Sequence, residues 1–181
     1  MNAIWNSVIG KIDPDASTLK YLLKDRWIRF HSLPESKRYA AHESERSIIL
    51  YRHNIILDEL WKNGSEIIII NTKWSESKKA DEKLKTLGNY WESTIVDPKD
   101  AESPWRHMYY KKTNWSVGKL DNKILQTAND EISNFMVINM ESKSLYHPYD
   151  GGMDLILSDK SILEHMKYKF IEFLSEHPEG L

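Results

Sequence analysis

Cationic and histidine side chains crowd one stretch of the chain, WIRFHSLPESKRY at residues 27–39, and return in the next predicted helix. Arg29 and His31 have the same parity in a predicted strand, so their side chains point to the same side. His53 follows in a helix that must fold back to bury its apolar stripe. Arginine forks and lysine ammonium groups suit a phosphate or a carboxylate, and His31 or His53 can act as acid or base. The cations of this candidate anion site are Arg29, Lys37, Arg38 and Arg52.

The same residues also fit a solvated connection that binds nothing. Most charged side chains lie on solvated surface, and Glu35, Glu43 and Glu45 are close enough in the chain to pair with these cations. His53 lies within an apolar stripe, where a hydrogen-bonded structural histidine is commoner than a catalytic base. We favour the solvated connection and keep the anion site as the alternative.

A second polar segment, HPYDGGMD at residues 147–154, contains two aspartates and two adjacent glycines. The glycines predict a turn at Asp150, because glycine tolerates positive φ. Asp150 and Asp154 can instead bind a basic group of a partner. The segment has too few oxygen ligands for a calcium loop, and no GK[ST] helix follows it for a phosphate loop.

Other catalytic and metal-binding motifs are absent from the sequence. The chain has no cysteine, its seven histidines form no HExxH or HxH pair, and no GxSxG segment occurs. These absences exclude disulfides, thiolate zinc sites and cysteine nucleophiles, and they leave a serine nucleophile without support. We expect neither a metal nor a cofactor.

Hydrophobic periodicity predicts an α+β fold in a single domain over residues 1–181. Amphipathic helices are predicted at 44–64, at 120–132 and at 160–176, where the last has a strong apolar stripe. Strands are predicted at 27–32, 65–72, 90–97, 105–116 and 134–140, and on both sides of a turn at 148–152. We expect a mainly antiparallel sheet of about five or six strands, covered by the helices.

Composition restricts the class of protein and of partner. A formal charge of −2 provides no electrostatic attraction for nucleic acid. The longest strongly apolar run, IIII at residues 67–70, is far too short to span a bilayer, and the amino-terminal residues do not resemble a signal peptide. We therefore expect a cytoplasmic protein that binds neither nucleic acid nor membrane, and its oligomeric state stays open.

The chain has seven tryptophans, and Trp74 stands beside a highly charged segment. An exposed tryptophan among charges is typical of a partner-binding surface, and packing against the edge of the sheet is the equal alternative. On the first interpretation a partner contacts one of two surfaces, the first around Trp74 and the second in the aspartate segment. The first consists of Trp74, Glu76, Asp81 and Glu82, and the second of Asp150 and Asp154.

Residues 120–157 resemble a bacterial domain family of unknown function. The family pattern is a helix ending in an ANDE-like segment, a strand, and then a YHPYDDRGMDVI-like segment. Here residues 127–131 read TANDE and residues 146–154 read YHPYDGGMD, so DGG stands where DDRG is usual. An acid and an arginine of the pattern are therefore missing, and a role that needs them has no residues here. The resemblance implies a small cytoplasmic α+β domain and no particular activity.

These observations favour a non-enzymatic protein-binding function. Small, mildly acidic α+β domains of bacteria include immunity and antitoxin proteins, which cover a toxin with a charged, aromatic-rich patch. A toxin is thus one class of partner. The alternative is a small-ligand-binding protein, or an enzyme acting on a phosphorylated or nucleotide-like compound through the arginine and histidine cluster. The net charge counts against a nucleic-acid-modifying enzyme.

Overall fold

The computed structural model describes residues 1–81, 84–100 and 102–175. The strands are β1 Trp27–His31, β2 Glu66–Ser75, β3 Asn89–Ile95, β4 Trp105–Asn114, β5 Met136–Asn139, β6 Ser144–Tyr149 and β7 Gly152–Ile156. The helices are α1 Asn2–Val8, α2 Ala16–Leu22, α3 Glu43–Leu60, α4 Asp121–Ala128 and α5 Lys160–Lys169. Short 3₁₀ turns occur at Pro34–Ser36 and Ile171–Phe173, among other places.

All of these strands belong to one antiparallel sheet with the order β1-β7-β6-β5-β2-β4-β3. The predicted antiparallel α+β architecture is confirmed. In the described part of the chain the sheet has seven strands rather than about five or six, because every predicted strand segment joins it. Strands β5, β6 and β7 form the expected meander, and β2 lies inside the sheet between β5 and β4.

Helices cover both faces of the sheet. On one face, Ile56 of α3 and Met166 of α5 belong to the same buried core as Phe30 and Tyr146. The apolar stripes predicted for α3 and α5 therefore lie on a single sheet face. On the other face, α1 and α2 contribute to a second core, which includes Trp5, Leu19, Ile68, Ile70 and Ile138.

The isoleucine run of β2 is apolar on both sides because the sheet is covered on both sides. Ile67 faces the core under α3 and α5, whereas Ile68 and Ile70 face the core under α1 and α2. Successive side chains of a strand alternate between faces, so a continuous apolar run is the pattern of a doubly covered strand.

Both long helices end earlier than predicted. Helix α3 stops at Leu60 because Trp61 has extended backbone angles and a buried ring, whose Nε1 donates to Ser144 Oγ at 2.8 Å. Helix α5 stops at Lys169, after which Leu174 forms an antiparallel bridge with Phe30 at the edge of the sheet. The described part of the chain holds no helix that is long and apolar enough to cross a membrane.

The predicted turn at residues 148–152 is the β6–β7 hairpin, but the reason given for its glycines is wrong. Neither Gly151 nor Gly152 has a positive φ. Gly152 is required by close packing instead, since a Cβ there would lie 2.1 Å from the carbonyl oxygen of Phe30 on β1. The glycine thus allows β1 to approach β7.

Candidate functional site

A cleft of about 360 Å³ opens at one end of the sheet, where β2 ends, β5 begins and β6 turns into β7. Its walls come from the start of α2, the loop after β1 and the loop between α4 and β5. Its lining includes the charged and aromatic side chains of Asp15, Arg38, Trp74, Asp130, His147 and Asp150.

A chain of hydrogen bonds connects two aspartates of the cleft. Arg38 Nε donates to Asp150 Oδ2. The hydroxyl of Tyr39 donates to Asp130 Oδ2 at 2.8 Å and also lies 3.1 Å from Asp150 Oδ2. The hydrogen bond to Asp130 raises the pKa of Tyr39 to about 12, so this hydroxyl keeps its proton. Two carboxylates therefore share one hydroxyl, and Asp150 is paired with a cation as well.

Arg29 and Asp154 form an ion pair beneath the cleft. The strand register places Arg29 opposite Asp154, and Asp154 opposite His147. Arg29 makes a two-pronged contact, with Nε at 2.8 Å and Nη2 at 2.9 Å from the two Asp154 carboxylate oxygens. The ring of Tyr149 lies 4.4 Å from the guanidinium carbon and covers it. The pair is thus fully engaged by its own neighbours.

His147 is neutral at neutral pH. Its Nδ1 is buried and has no hydrogen-bond partner among the residues described. Burial lowers its pKa to about 4, and the nearby charge of Asp154 acts in the opposite direction. A neutral imidazole at the wall of the cleft offers a hydrogen bond but no charge.

Trp74 lies at the mouth of the cleft and is 38 % exposed. Its Nε1 donates to Ser133 Oγ at 2.8 Å, which holds the indole against the loop before β5. The remaining exposed ring surface is available for contact with another molecule.

The structure divides the predicted partner-binding residues. Trp74 and Asp150, which the sequence assigned to different surfaces, line the same cleft, and Asp154 lies beneath it in the pair with Arg29. Glu76 and Asp81 are exposed and do not line the cleft. Glu82 lies outside the described residues.

The predicted anion-binding cations do not come together. Arg29 pairs with Asp154, Arg38 pairs with Asp150, and Lys37 Nζ lies 2.5 Å from Glu45 Oε1. Arg52 and His31 line a separate cavity on the other side of the loop after β1. Three of the four cations thus have a carboxylate partner of their own.

His53 lies in the core and links three elements. Its Nε2 is 2.7 Å from Ser32 Oγ, and its Nδ1 is 2.6 Å from the hydroxyl of Tyr146. Burial lowers the pKa of His53 to about 3. The serine–histidine distance suits a nucleophile and its base, but Ser32 is 0 % exposed, so a substrate cannot reach it. The contacts join the residue that follows β1 to α3 and β6.

Three residues that line the cleft, Asp15, Asp130 and His147, were not among those predicted, nor was Tyr39, which contacts two of its aspartates. A signal for two of them was present, since Asp130 lies in the TANDE segment and His147 in the YHPYDGGMD segment. The two segments that carry the family resemblance meet at this cleft. Asp15, by contrast, reads as an ordinary helix start and does cap α2.

The described part of the chain contains no group of three or more histidine, aspartate or glutamate side chains that could hold a metal ion. A family model described as a domain of unknown function (DUF3885) matches residues 16–178, a span that includes all the cleft-lining residues named above except Asp15. No curated protein and no solved structure matches the chain.

Proposed function

We propose that this chain, which belongs to the DUF3885 family of domains of unknown function, is a non-enzymatic protein-binding domain. In this role the cleft receives a basic side chain of the partner. The observation that carries the proposal is the composition of the cleft. Three aspartates and one arginine line it, beside a tryptophan that is partly exposed.

The charges of the cleft are unequally compensated. Asp150 is paired with Arg38, and Asp15 Oδ2 lies 2.9 Å from Arg106 Nη1. Asp130 is exposed and accepts from the hydroxyl of Tyr39, and no cation of the described chain lies within ion-pair distance of it. An arginine or lysine of a partner would complete this site with a charge-assisted hydrogen bond.

Trp74 provides the second half of the recognition. Its exposed ring stands at the same cleft as Asp130, so an entering cation can contact the aromatic face as well as the carboxylate. Aromatic anchors beside charged groups are typical of the residues that dominate binding energy at interfaces. A cation that contacts both groups binds more tightly than one that contacts either group alone.

Protein binding has more support than catalysis through the arginine and histidine cluster. The cations of that cluster lie apart, and Arg29, Lys37 and Arg38 are already paired with carboxylates. His147 in the cleft has a pKa of about 4, so it is a weak base at neutral pH.

The class of partner follows from the charge. An acidic cleft selects a basic protein surface, and surfaces that bind nucleic acid are basic. A toxin that acts on nucleic acid would present such a surface, and a domain that covered it would be an immunity or antitoxin protein. We propose this role for a bacterial, cytoplasmic protein, which is compatible with a chain that lacks cysteine.

Selection from a phage-displayed library of random peptides tests the proposal. We expect the selected peptides to contain arginine or lysine. Fluorescence polarisation then measures their affinity for the protein. Trp74→Ala and Asp130→Asn should each weaken binding by about tenfold. Tyr168→Ala and Glu164→Gln are matched controls, since both residues are exposed on α5, which does not line the cleft. Selected peptides without basic residues, or affinities that neither cleft substitution changes, would contradict the proposal.

A further inference from the structure

A second cavity, of about 260 Å³, lies between α3, the end of β1 and the chain that follows α5. His31 and Arg52 line it, together with Glu35 from the 3₁₀ turn after β1. Glu172 and Leu174 close the other side. This cavity shares no lining residue with the cleft, so an inference from it is independent of the proposed function.

Among the residues described, Arg52 is a buried cation without a carboxylate partner. It is 9 % exposed, and no acidic oxygen of the described chain lies within 4.0 Å of its guanidinium nitrogens. Its Nη1 donates to the carbonyl oxygen of His31 at 3.1 Å, and its guanidinium carbon lies 4.3 Å from the ring of Phe173. These contacts leave most of its five N–H donors to the cavity.

Two other arginines in the interior, Arg29 and Arg106, are paired with carboxylates. Arg29 has Asp154 at 2.8 Å, and Arg106, which is 1 % exposed, has Asp13 at 2.5 Å and Asp15 at 2.9 Å. A buried charge is costly unless another charge compensates it. Arg52 differs from these two arginines because no negative charge of the described chain is in contact with it. Burial lowers its pKa, as expected where no anion is in contact, and the charge of Glu172 opposes the shift.

His31 is a second polar group with an incomplete environment at the same cavity. It is 9 % exposed, and its Nε2 is buried with no hydrogen-bond partner in the described structure. Burial lowers its pKa, and the charges of Arg29 and Arg52 lower it further. His31 is therefore neutral at neutral pH and leaves Arg52 as the only positive group that lines the cavity within the described chain.

We propose that this cavity binds a small carboxylate through Arg52. The guanidinium fork matches the two oxygens of a carboxylate, and the cavity has room for a compound of a few heavy atoms beyond that group. Glu35 and Glu172 are exposed lining residues, and they repel a doubly charged anion more than a singly charged one. The site therefore prefers a carboxylate to inorganic phosphate.

The rim of the cavity is held in an unusual backbone conformation. Glu35 and Ser36 are consecutive non-glycine residues with φ of 55° and 54°. Such conformations persist only where surrounding contacts hold them, and the amide of Lys37 donates to the carbonyl oxygen of Pro34 at 3.1 Å across this turn. The acidic rim is thus built into the fold.

Titration with sodium acetate, followed by nuclear magnetic resonance at constant ionic strength, tests the site. We expect saturable shifts of the Arg52 Nε–H resonance and of the amides of residues 34–36, with a dissociation constant on the order of 1 mM. Inorganic phosphate should bind more weakly. Arg52→Gln should weaken acetate binding by about tenfold or more. Arg46→Gln, which changes an exposed arginine of the same helix, should leave it unchanged.

A second variant keeps the test decisive if Arg52→Gln fails to fold. Glu172 is exposed, and Glu172→Gln removes an acid that repels the ligand, so acetate should bind about twofold more tightly. The proposal is overturned by shifts that do not saturate or by phosphate binding more tightly than acetate. It is equally overturned by a folded Arg52→Gln variant that binds like the wild type, or by Glu172→Gln binding no more tightly.

Discussion

The buried histidine of α3 should make the stability of the protein depend on pH. His53 is 1 % exposed and has both ring nitrogens within 2.7 Å of hydroxyl oxygens, those of Ser32 and Tyr146. Burial lowers its pKa from the ordinary value of 6.5 to about 3. The folded protein therefore keeps this ring neutral at pH values where the unfolded chain protonates it.

The sign and size of the effect follow from that difference. Above about pH 6.5 the ring is neutral in both states, and the full contribution of His53 to stability is present. As the pH falls from 6.5 towards 3, the unfolded state gains a proton that the folded state excludes, so the free energy of unfolding decreases. At about pH 5 the loss from His53 alone amounts to about 2 kcal/mol.

Urea unfolding of the wild type and of His53→Gln, at about pH 7.5 and about pH 5, measures this loss. The substitution lowers stability at both pH values because the hydroxyls lose a partner, so the difference between the two pH values is the quantity compared. We expect the variant to lose about 2 kcal/mol less than the wild type on acidification. His42→Gln, at an exposed position before the same helix, should behave like the wild type. An equal loss in the wild type and His53→Gln would refute the reasoning.

Two further predictions concern the contact between β1 and β7. Gly152→Ala should lower the free energy of unfolding by about 2 kcal/mol or more, because the new Cβ would lie 2.1 Å from the backbone oxygen of Phe30. Gly151→Ala is the control, since its Cβ would meet only side-chain atoms at 3.1 Å or more, and should cost less than about 1 kcal/mol in urea unfolding. Arg29→Met should cost about 3 kcal/mol, since it leaves the Asp154 carboxylate, which is 9 % exposed, without its partner. In a double-mutant cycle with Asp154→Leu the two losses should not add, and additive losses would show that the pair is not coupled.

The secondary structure was predictable because it depends on short, repeated patterns. The isoleucine run of β2 and the stripes of α3 and α5 show which faces are apolar without reference to any other segment. The ends of the helices were less predictable. Trp61 leaves α3 because its ring packs in the core and its Nε1 reaches Ser144, which is distant in the sequence.

The candidate site was predictable only in part, because its residues are joined by contacts between distant segments. Charge and residue type indicated Trp74 and Asp150 as binding residues, but placed them on two different surfaces. The strand order and the loop after β1 bring them to one cleft, and they add Asp130 and His147 from segments that the family resemblance had indicated. The same sequence reasoning grouped four cations into one site, whereas the fold separates them.

The amino-acid sequence alone determined the α+β class, the apolar faces of the helices and strands, and the number and type of charged residues. Each of these depends only on local composition and on the periodicity of apolar residues. Tertiary structure decided which charges are neutralised. Arg38 meets Asp150 and Arg29 meets Asp154, across 112 and 125 positions of the chain, because β1 pairs with β7 at the edge of the sheet. Within the described residues Arg52 has no carboxylate partner, because α3 places it against β1 and Phe173 instead. Ion pairing acts over a few ångströms in space, and only the folded chain determines those distances.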